Sequence, residues 1–105
     1  MELNADPSLT ANGTPVVYTP EADGASFVAY CEAACQSDAK QVDIFLDLRH
    51  FNFLDSRATL AVLKMRSHFG ARGCGFHLIN ASPDLLAVLK NARLDRIIDI
   101  TQRTG

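Results

Sequence analysis

Residues 42–60 read Val-Asp-Ile-Phe-Leu-Asp-Leu-Arg-His-Phe-Asn-Phe-Leu-Asp-Ser-Arg-Ala-Thr-Leu, and within them the pattern changes from strand to helix. The run 42–48 is apolar at its even positions, and Phe45 adds bulk to the other face, as in a central strand covered on both faces or nearly so. From residue 56 the apolar residues recur at steps of three and four, which predicts a helix with one buried face, formed by Ala58, Ala61, Val62, Met65 and Phe69. The turn between strand and helix carries the candidate functional residues.

Asp55 and Ser56 stand where the predicted helix begins, and both residue types are suitable N-caps. Free backbone N–H groups and the positive end of the helix dipole converge at such a position, so a phosphate is tolerated there. Ser56 is therefore a candidate phosphorylation switch. Serine is also a common N-cap, so from these residues alone Ser56 is compatible with a capping role and no regulation.

Strands and helices alternate along the chain. Strands are predicted at 15–19, 42–48, 75–80 and 97–100, and helices at 23–36, 56–69 and 82–91. Asp23 opens the first helix, and Gly70 ends the second. Ser82-Pro83-Asp84 starts the third, because a hydroxyl N-cap is followed by proline at the first helical position. This alternation predicts an α/β fold with a mainly parallel sheet built from right-handed crossovers.

The two ends of the chain carry weaker signals. Residues 1–14 are polar and rich in turn residues, and Asn12-Gly13 indicates a hairpin whose first strand would pair with 15–19. We expect 1–14 to be weakly structured or to supply a short first strand. We expect 101–105 to form a tail that frays or adds a helical turn.

The composition is that of an ordinary globular domain. The chain has 105 residues, of which 48% are hydrophobic and 21% charged, and a chain of this size buries roughly two-thirds of its extended surface. A net charge of -2, with Lys and Arg not clustered, argues against nucleic-acid binding. The sequence shows neither a secretory signal nor an apolar run long enough to span a bilayer. We therefore expect a cytoplasmic protein without membrane insertion.

Three cysteines, an odd number, fit a reducing compartment better than a disulfide framework. A metal site would have to group Cys31, Cys35, Cys74 and His77. Zinc sites usually show tighter pairs such as Cys-x2-Cys, and both helical cysteines here belong to an alanine-rich face. We expect the cysteines to be small core residues, with no metal and no cofactor.

The order and spacing of these segments resemble a known family. The runs 42–48 and 53–56, a Gly-rich turn, and the runs 79–83 and 94–100 look like a STAS domain, and more narrowly like the stand-alone anti-sigma factor antagonists of bacteria. The resemblance covers about residues 15–101. It implies a single STAS domain over 1–105, with a four- or five-stranded, mainly parallel mixed sheet and helices packed chiefly on one face.

The resemblance also implies a regulatory protein that performs no catalysis. In this family the serine after the aspartate, here Ser56, is phosphorylated by a serine kinase of the anti-sigma type with an ATP-binding kinase fold, and a phosphatase resets it. The unphosphorylated form captures that partner and releases what the partner had been holding, often a sigma factor. The expected partner-binding residues are Glu21, Asp23, Asn52, Phe53, Asp55, Ser56, Arg57 and Thr59.

Two positions depart from the family pattern. The family favours Asp-Ser-Ser/Thr-Gly-Leu, whereas this chain has Arg57 and Ala58 after the serine. Alanine is compatible with a helical backbone. The cationic Arg57 is expected either to recognise a different partner surface or to pair with phosphate on Ser56. The second departure is Ala92-Arg93-Leu94, where a Ser/Thr-Gly-Leu turn is usual.

Two other functions stay open at this point. The protein could be a constitutive subunit, like the small STAS components attached to the ATPase of a membrane lipid transporter, with Ser56 a contact residue that is never phosphorylated. A small enzyme using Asp55 or Cys74 as nucleophile is less well supported. The Gly-x-Ser-x-Gly elbow of a serine hydrolase is absent, and the histidines show no triad-like order.

Overall fold

The structure is a computed structural model that describes residues 14–21 and 24–102. Along these residues four strands and three α-helices alternate: β1 (Val16–Tyr18), α1 (Gly24–Ala34), β2 (Asp43–Asp47), α2 (Ser56–Ala71), β3 (Gly75–Ala81), α3 (Pro83–Asn91) and β4 (Asp99–Gln102). A short 3-10 helix, Leu94–Arg96, precedes β4. The predicted hairpin before residue 14, the helix start at Asp23 and the end of the tail lie outside the described residues.

The strands form one sheet in the order β1-β2-β3-β4, and every pairing among these described strands is parallel. Parallel neighbours need a crossover connection, and here each crossover contains an α-helix. The α/β fold predicted from the alternation of strands and helices is confirmed.

The helices pack on one face of the sheet. The five residues predicted to form the buried face of α2 are all buried, and they share one core with apolar residues of α1, α3 and the strands. Successive side chains of a strand point to opposite faces, so Ile44 and Leu46 of β2 enter this core. Phe45 points the other way and is only half-buried, and Asp43 is exposed. The expectation that β2 is covered on both faces or nearly so therefore holds only in part among the described residues: Asp47, on the same face as Phe45, is buried, but Asp43 is exposed.

The end of α2 and both ends of β4 differ from the prediction. Helix α2 continues through Gly70, because the residue that leaves the helix with positive φ is Gly73, at φ 76°. The last strand starts at Asp99 rather than at residue 97, since the N–H groups of Ile97 and Ile98 both donate to the carbonyl of Leu94. Residues 101 and 102, predicted as tail, belong to this strand.

Candidate functional site

Helix α2 begins with Asp55 as its N-cap. The backbone of Asp55 is extended (φ -78°, ψ -178°), and its carboxylate oxygen Oδ1 accepts a hydrogen bond from the N–H of Ala58 at 2.8 Å. Ser56 is the first helical residue and is exposed. Of the two candidate caps, the aspartate has this role, so the Ser56 hydroxyl is not needed to start the helix.

The segment that leads into α2 is anchored by two apolar side chains. Phe51 is buried and meets Phe27 of α1 edge-on, with ring centroids 4.9 Å apart. Leu54 is only 3% exposed and belongs to the hydrophobic core. Between these anchors Asn52 and Phe53 are exposed, and 63% of Phe53 is accessible to solvent. The anchors fix the backbone and leave the two intervening side chains on the surface.

A buried carboxylate fixes the point where the chain leaves β2. Asp47 is 1% exposed and accepts hydrogen bonds from the Arg49 backbone N–H at 3.0 Å, from Arg49 Nε at 2.8 Å and from Asn80 Nδ2 at 3.0 Å. Burial alone would raise the pKa of Asp47, but the hydrogen bonds from Arg49 and Asn80 outweigh it, and the pKa lies below its ordinary value. The network joins the ends of β2 and β3 beside the loop that carries Asp55.

Sequence reasoning missed this network. The available signal was a carboxylate between Leu46 and Leu48 at the end of an apolar strand, where an acidic residue must find partners if it is buried. Its partner Asn80 comes from the next strand and has φ 60°. The pairing of β3 with β4 shows a register irregularity around this residue.

Ser56 borders an open, largely apolar groove. This groove of about 510 Å³ is lined by Phe53, Leu54, Asp55, Ser56, Thr59, Leu60, Val88 and Ala92. Leu60, which lies outside the buried face of α2, is 58% exposed and contributes apolar surface to this groove. The arrangement offers a partner an apolar surface with a hydroxyl and a carboxylate at its edge.

The structure brings most of the expected partner-binding residues together. Six of them lie within one short segment, and all are exposed except the half-buried Thr59: Asn52, Phe53, Asp55, Ser56, Arg57 and Thr59. Glu21 is exposed in the segment before α1, but it does not line the groove. Asp23 lies outside the described residues.

The two departures from the family pattern have different structural settings. Ala58 is 3% exposed, so its methyl group adds to the core beneath the helix start. Arg93 follows α3 with a left-handed backbone, φ 63° and ψ 24°, a conformation that favours glycine. Its N–H donates to the Lys90 carbonyl, so the turn is formed in spite of the side chain.

The cysteines pack as part of the fold. Cys31 and Cys74 are buried, as predicted, whereas Cys35 is only half-buried. Burial, with smaller contributions from Cys35 and Glu32, raises the pKa of Cys31 to about 12, which suits neither a nucleophile nor a metal ligand. Over residues 14–21 and 24–102, no group of three or more His, Cys, Asp or Glu side chains is arranged to hold a metal ion. No helix in this part of the chain is long and apolar enough to cross a membrane.

Comparisons with known proteins agree with this architecture. The crystal structure of a candidate anti-sigma factor antagonist from Thermotoga maritima is 22% identical and matches 72% of this chain with a TM-score of 0.62. This chain covers 64% of that protein, somewhat less than two-thirds of its length. The NMR structure of the same protein, TM1081, is 20% identical over 84% of this chain and 74% of its own, with a TM-score of 0.67. At these identities the likeness establishes the fold alone.

A comparison with curated proteins found no match. The STAS domain family matches residues 24–105, which is most of the chain and includes the helix start at Asp55 and the groove beside it. The chain belongs to the STAS-domain family.

Proposed function

We propose that this protein is a partner-switching regulator of the anti-sigma factor antagonist type, and that phosphorylation of Ser56 controls its binding to a kinase of the anti-sigma type. The observation that carries the proposal is the division of roles at the start of α2. Asp55 caps the helix, and the exposed Ser56 hydroxyl borders an apolar groove. Because the Ser56 hydroxyl is exposed and is not the helix cap, it can accept a phosphate without disrupting the fold.

Phosphate on Ser56 would change the surface through charge and hydration. It adds about -1.5 to -2 charge units beside the carboxylate of Asp55. The N-terminus of α2 offsets part of the repulsion, so the domain stays folded. A partner that covers the groove, however, would have to strip water from the dianion, which is costly unless the partner supplies cations. Phosphorylation therefore weakens the complex.

Arg57 is best suited to contact the partner directly. Adjacent residues of a helix do not face each other, so Arg57 and Ser56 project in different directions around α2. Arg57 is exposed, so its guanidinium can bind an acidic group of the partner. This favours the first of the two roles expected for Arg57, recognition of a different partner surface, over pairing with the phosphate.

The family and the name of the Thermotoga maritima relative support a partner of the anti-sigma type. We propose a serine kinase with an ATP-binding kinase fold as the captured partner and a phosphatase that resets Ser56, both acting in the cytoplasm. The protein itself would bind and release, and would catalyse no reaction.

Mapping of the phosphorylated residue tests the proposal. The protein is incubated with its cognate kinase and ATP, and the modified residue is located by mass spectrometry. One phosphate is expected on Ser56, and Ser56→Ala should abolish it, while Ser67→Ala, at an exposed serine further along α2, should not. Phosphate on Ser26 or Ser67 instead would contradict the proposal. Lack of phosphorylation together with co-purification of an ABC-type ATPase would favour the constitutive subunit.

A further inference from the structure

A histidine bridges two carboxylates on the face of the sheet opposite the helices. His77 of β3 lies between Asp43 of β2 and Asp99 of β4. Its Nδ1 is 2.9 Å from Asp99 Oδ2, and its Nε2 is 3.2 Å from Asp43 Oδ1. The ring also stacks on Phe45, with centroids 4.9 Å apart and planes at 23°. One imidazole thus contacts side chains of both neighbouring strands.

The backbone makes room for this arrangement. Gly75 is the register partner of Asp43 and stands two residues before His77 on the same face. A Cβ at this position would lie 2.6 Å from Asp43 Oδ1 and 3.1 Å from His77 Nε2. Since real Cβ atoms do not approach other atoms at 2.6 Å, any larger residue would force the exposed Asp43 carboxylate out of its present position. The absence of a side chain at Gly75 thus leaves the space that the Asp43 carboxylate occupies beside His77.

Both contacts are hydrogen bonds only when the imidazole carries two protons. A carboxylate can only accept, and a neutral imidazole has a single N–H. After loss of one proton, one of the two carboxylates faces a nitrogen lone pair instead of a donor. The complete bridge therefore contains His77 as a cation between two anions.

We propose that Asp43, His77 and Asp99 form a proton-controlled clamp across β2, β3 and β4, closed when His77 is charged and half-released when it is neutral. The edge strand β4 depends on the clamp most. Its register with β3 shifts after only two residue pairs, and the first of these two pairs is His77 with Asp99. The clamp is independent of Ser56 and goes beyond the switch proposed above.

The electrostatic surroundings of His77 set the direction of its titration. Burial lowers its pKa, while the hydrogen bonds and charges of Asp99 and Asp43 raise it, with the net result above the ordinary value. These two carboxylates are the charged groups that the adjacent strands direct at the ring. Phe45 is uncharged, and the helices pack on the opposite face of the sheet.

The stabilisation consequently has a defined pH window. Because the pKa of His77 is higher in the folded than in the unfolded protein, the clamp contributes its full stabilisation below the ordinary histidine pKa of about 6.5. Its contribution is lost as the pH rises through the higher pKa of the folded protein. Both carboxylates are largely exposed, at 62% and 69%, so added salt should weaken the effect.

An NMR titration of the histidine side chains tests the clamp. His77 should titrate above the ordinary value, and Asp43→Asn and Asp99→Asn should each lower its pKa. Both substitutions change exposed side chains and should leave the fold intact. His50, exposed in the loop after β2, serves as the internal reference. A His77 pKa at or below about 6.5, or one unaffected by either substitution, would overturn the proposal.

Hydrogen exchange tests the effect of the clamp on the stability of β4. It is measured at about pH 6 and about pH 8.5, on either side of the expected titration of His77. After correction for intrinsic exchange rates, protection of the β4 amides should fall several-fold at the higher pH in the wild type. In His77→Gln it should change little, while the control His50→Gln should follow the wild type. Equal pH responses in wild type and His77→Gln would refute the clamp. If His77→Gln does not fold, the same comparison is made with Asp99→Asn.

Discussion

The substitution Asp55→Ala tests whether Asp55, rather than Ser56, is the N-cap that stabilises helix α2. It removes the acceptor of the 2.8 Å bond from the Ala58 N–H, and loss of an N-cap side chain costs about 0.5–2 kcal/mol. Water can reach the exposed site and partly replace the acceptor, which favours a value of about 1 kcal/mol. The lost negative charge near the helix N-terminus adds about 0.3–1 kcal/mol. We expect a total loss of about 1–2 kcal/mol.

Two further variants test the origin of this loss of stability. Asp55→Asn keeps a capping oxygen and removes only the charge, so it should cost about 0.3–1 kcal/mol. Ser56→Ala should leave the free energy of unfolding within about 0.5 kcal/mol of the wild type, since the hydroxyl is not the cap and alanine favours helix.

Urea unfolding measures the differences, with thermal melting as a second readout. A change of 1 kcal/mol shifts Tm by about 4–8 °C in a domain of roughly 60–100 residues. The reasoning fails if Asp55→Ala is as stable as the wild type and Ser56→Ala is destabilised. The serine would then be the cap, and its hydroxyl would not be free for modification.

Three other substitutions give separate tests. Ser56→Asp should weaken kinase binding without loss of stability, because the added charge lies at an exposed helix start; unchanged affinity in calorimetry would count against a charge-gated interface. Arg57→Ser should change stability by less than about 0.5 kcal/mol but shift partner affinity or phosphorylation rate several-fold, and a much lower Tm with intact binding would show that Arg57 is structural. Arg93→Gly should raise the free energy of unfolding by about 0.5–1 kcal/mol, since relief of the left-handed strain exceeds the added chain entropy; urea unfolding that shows a loss would contradict this.

Features governed by local sequence were predictable. The helical spacing after residue 56 identified all five residues on the buried face of α2. Ser82 was predicted as the cap of α3, and its hydroxyl accepts a hydrogen bond from the Leu85 N–H. Local propensity and periodicity suffice for such features, because they act within one or two turns of chain.

Features that join distant strands were not predictable. His77 was considered only as a member of a possible metal site, because its contacts with Asp43 and Asp99 depend on the register of three strands. The Asp47–Asn80 bond likewise requires knowledge of which strand ends meet. The sequence alone could not decide whether Asp55 or Ser56 is the N-cap of α2, since both side chains have the required oxygen.

The most direct test of the switch is calorimetry of the cognate kinase with the unmodified protein and with protein phosphorylated on Ser56. Ser56→Ala serves as the variant that should bind like the unmodified form whether or not it has been incubated with ATP. We predict that the phosphate weakens binding at least several-fold while both forms show the same stability. Equal affinity of the two forms would contradict the account.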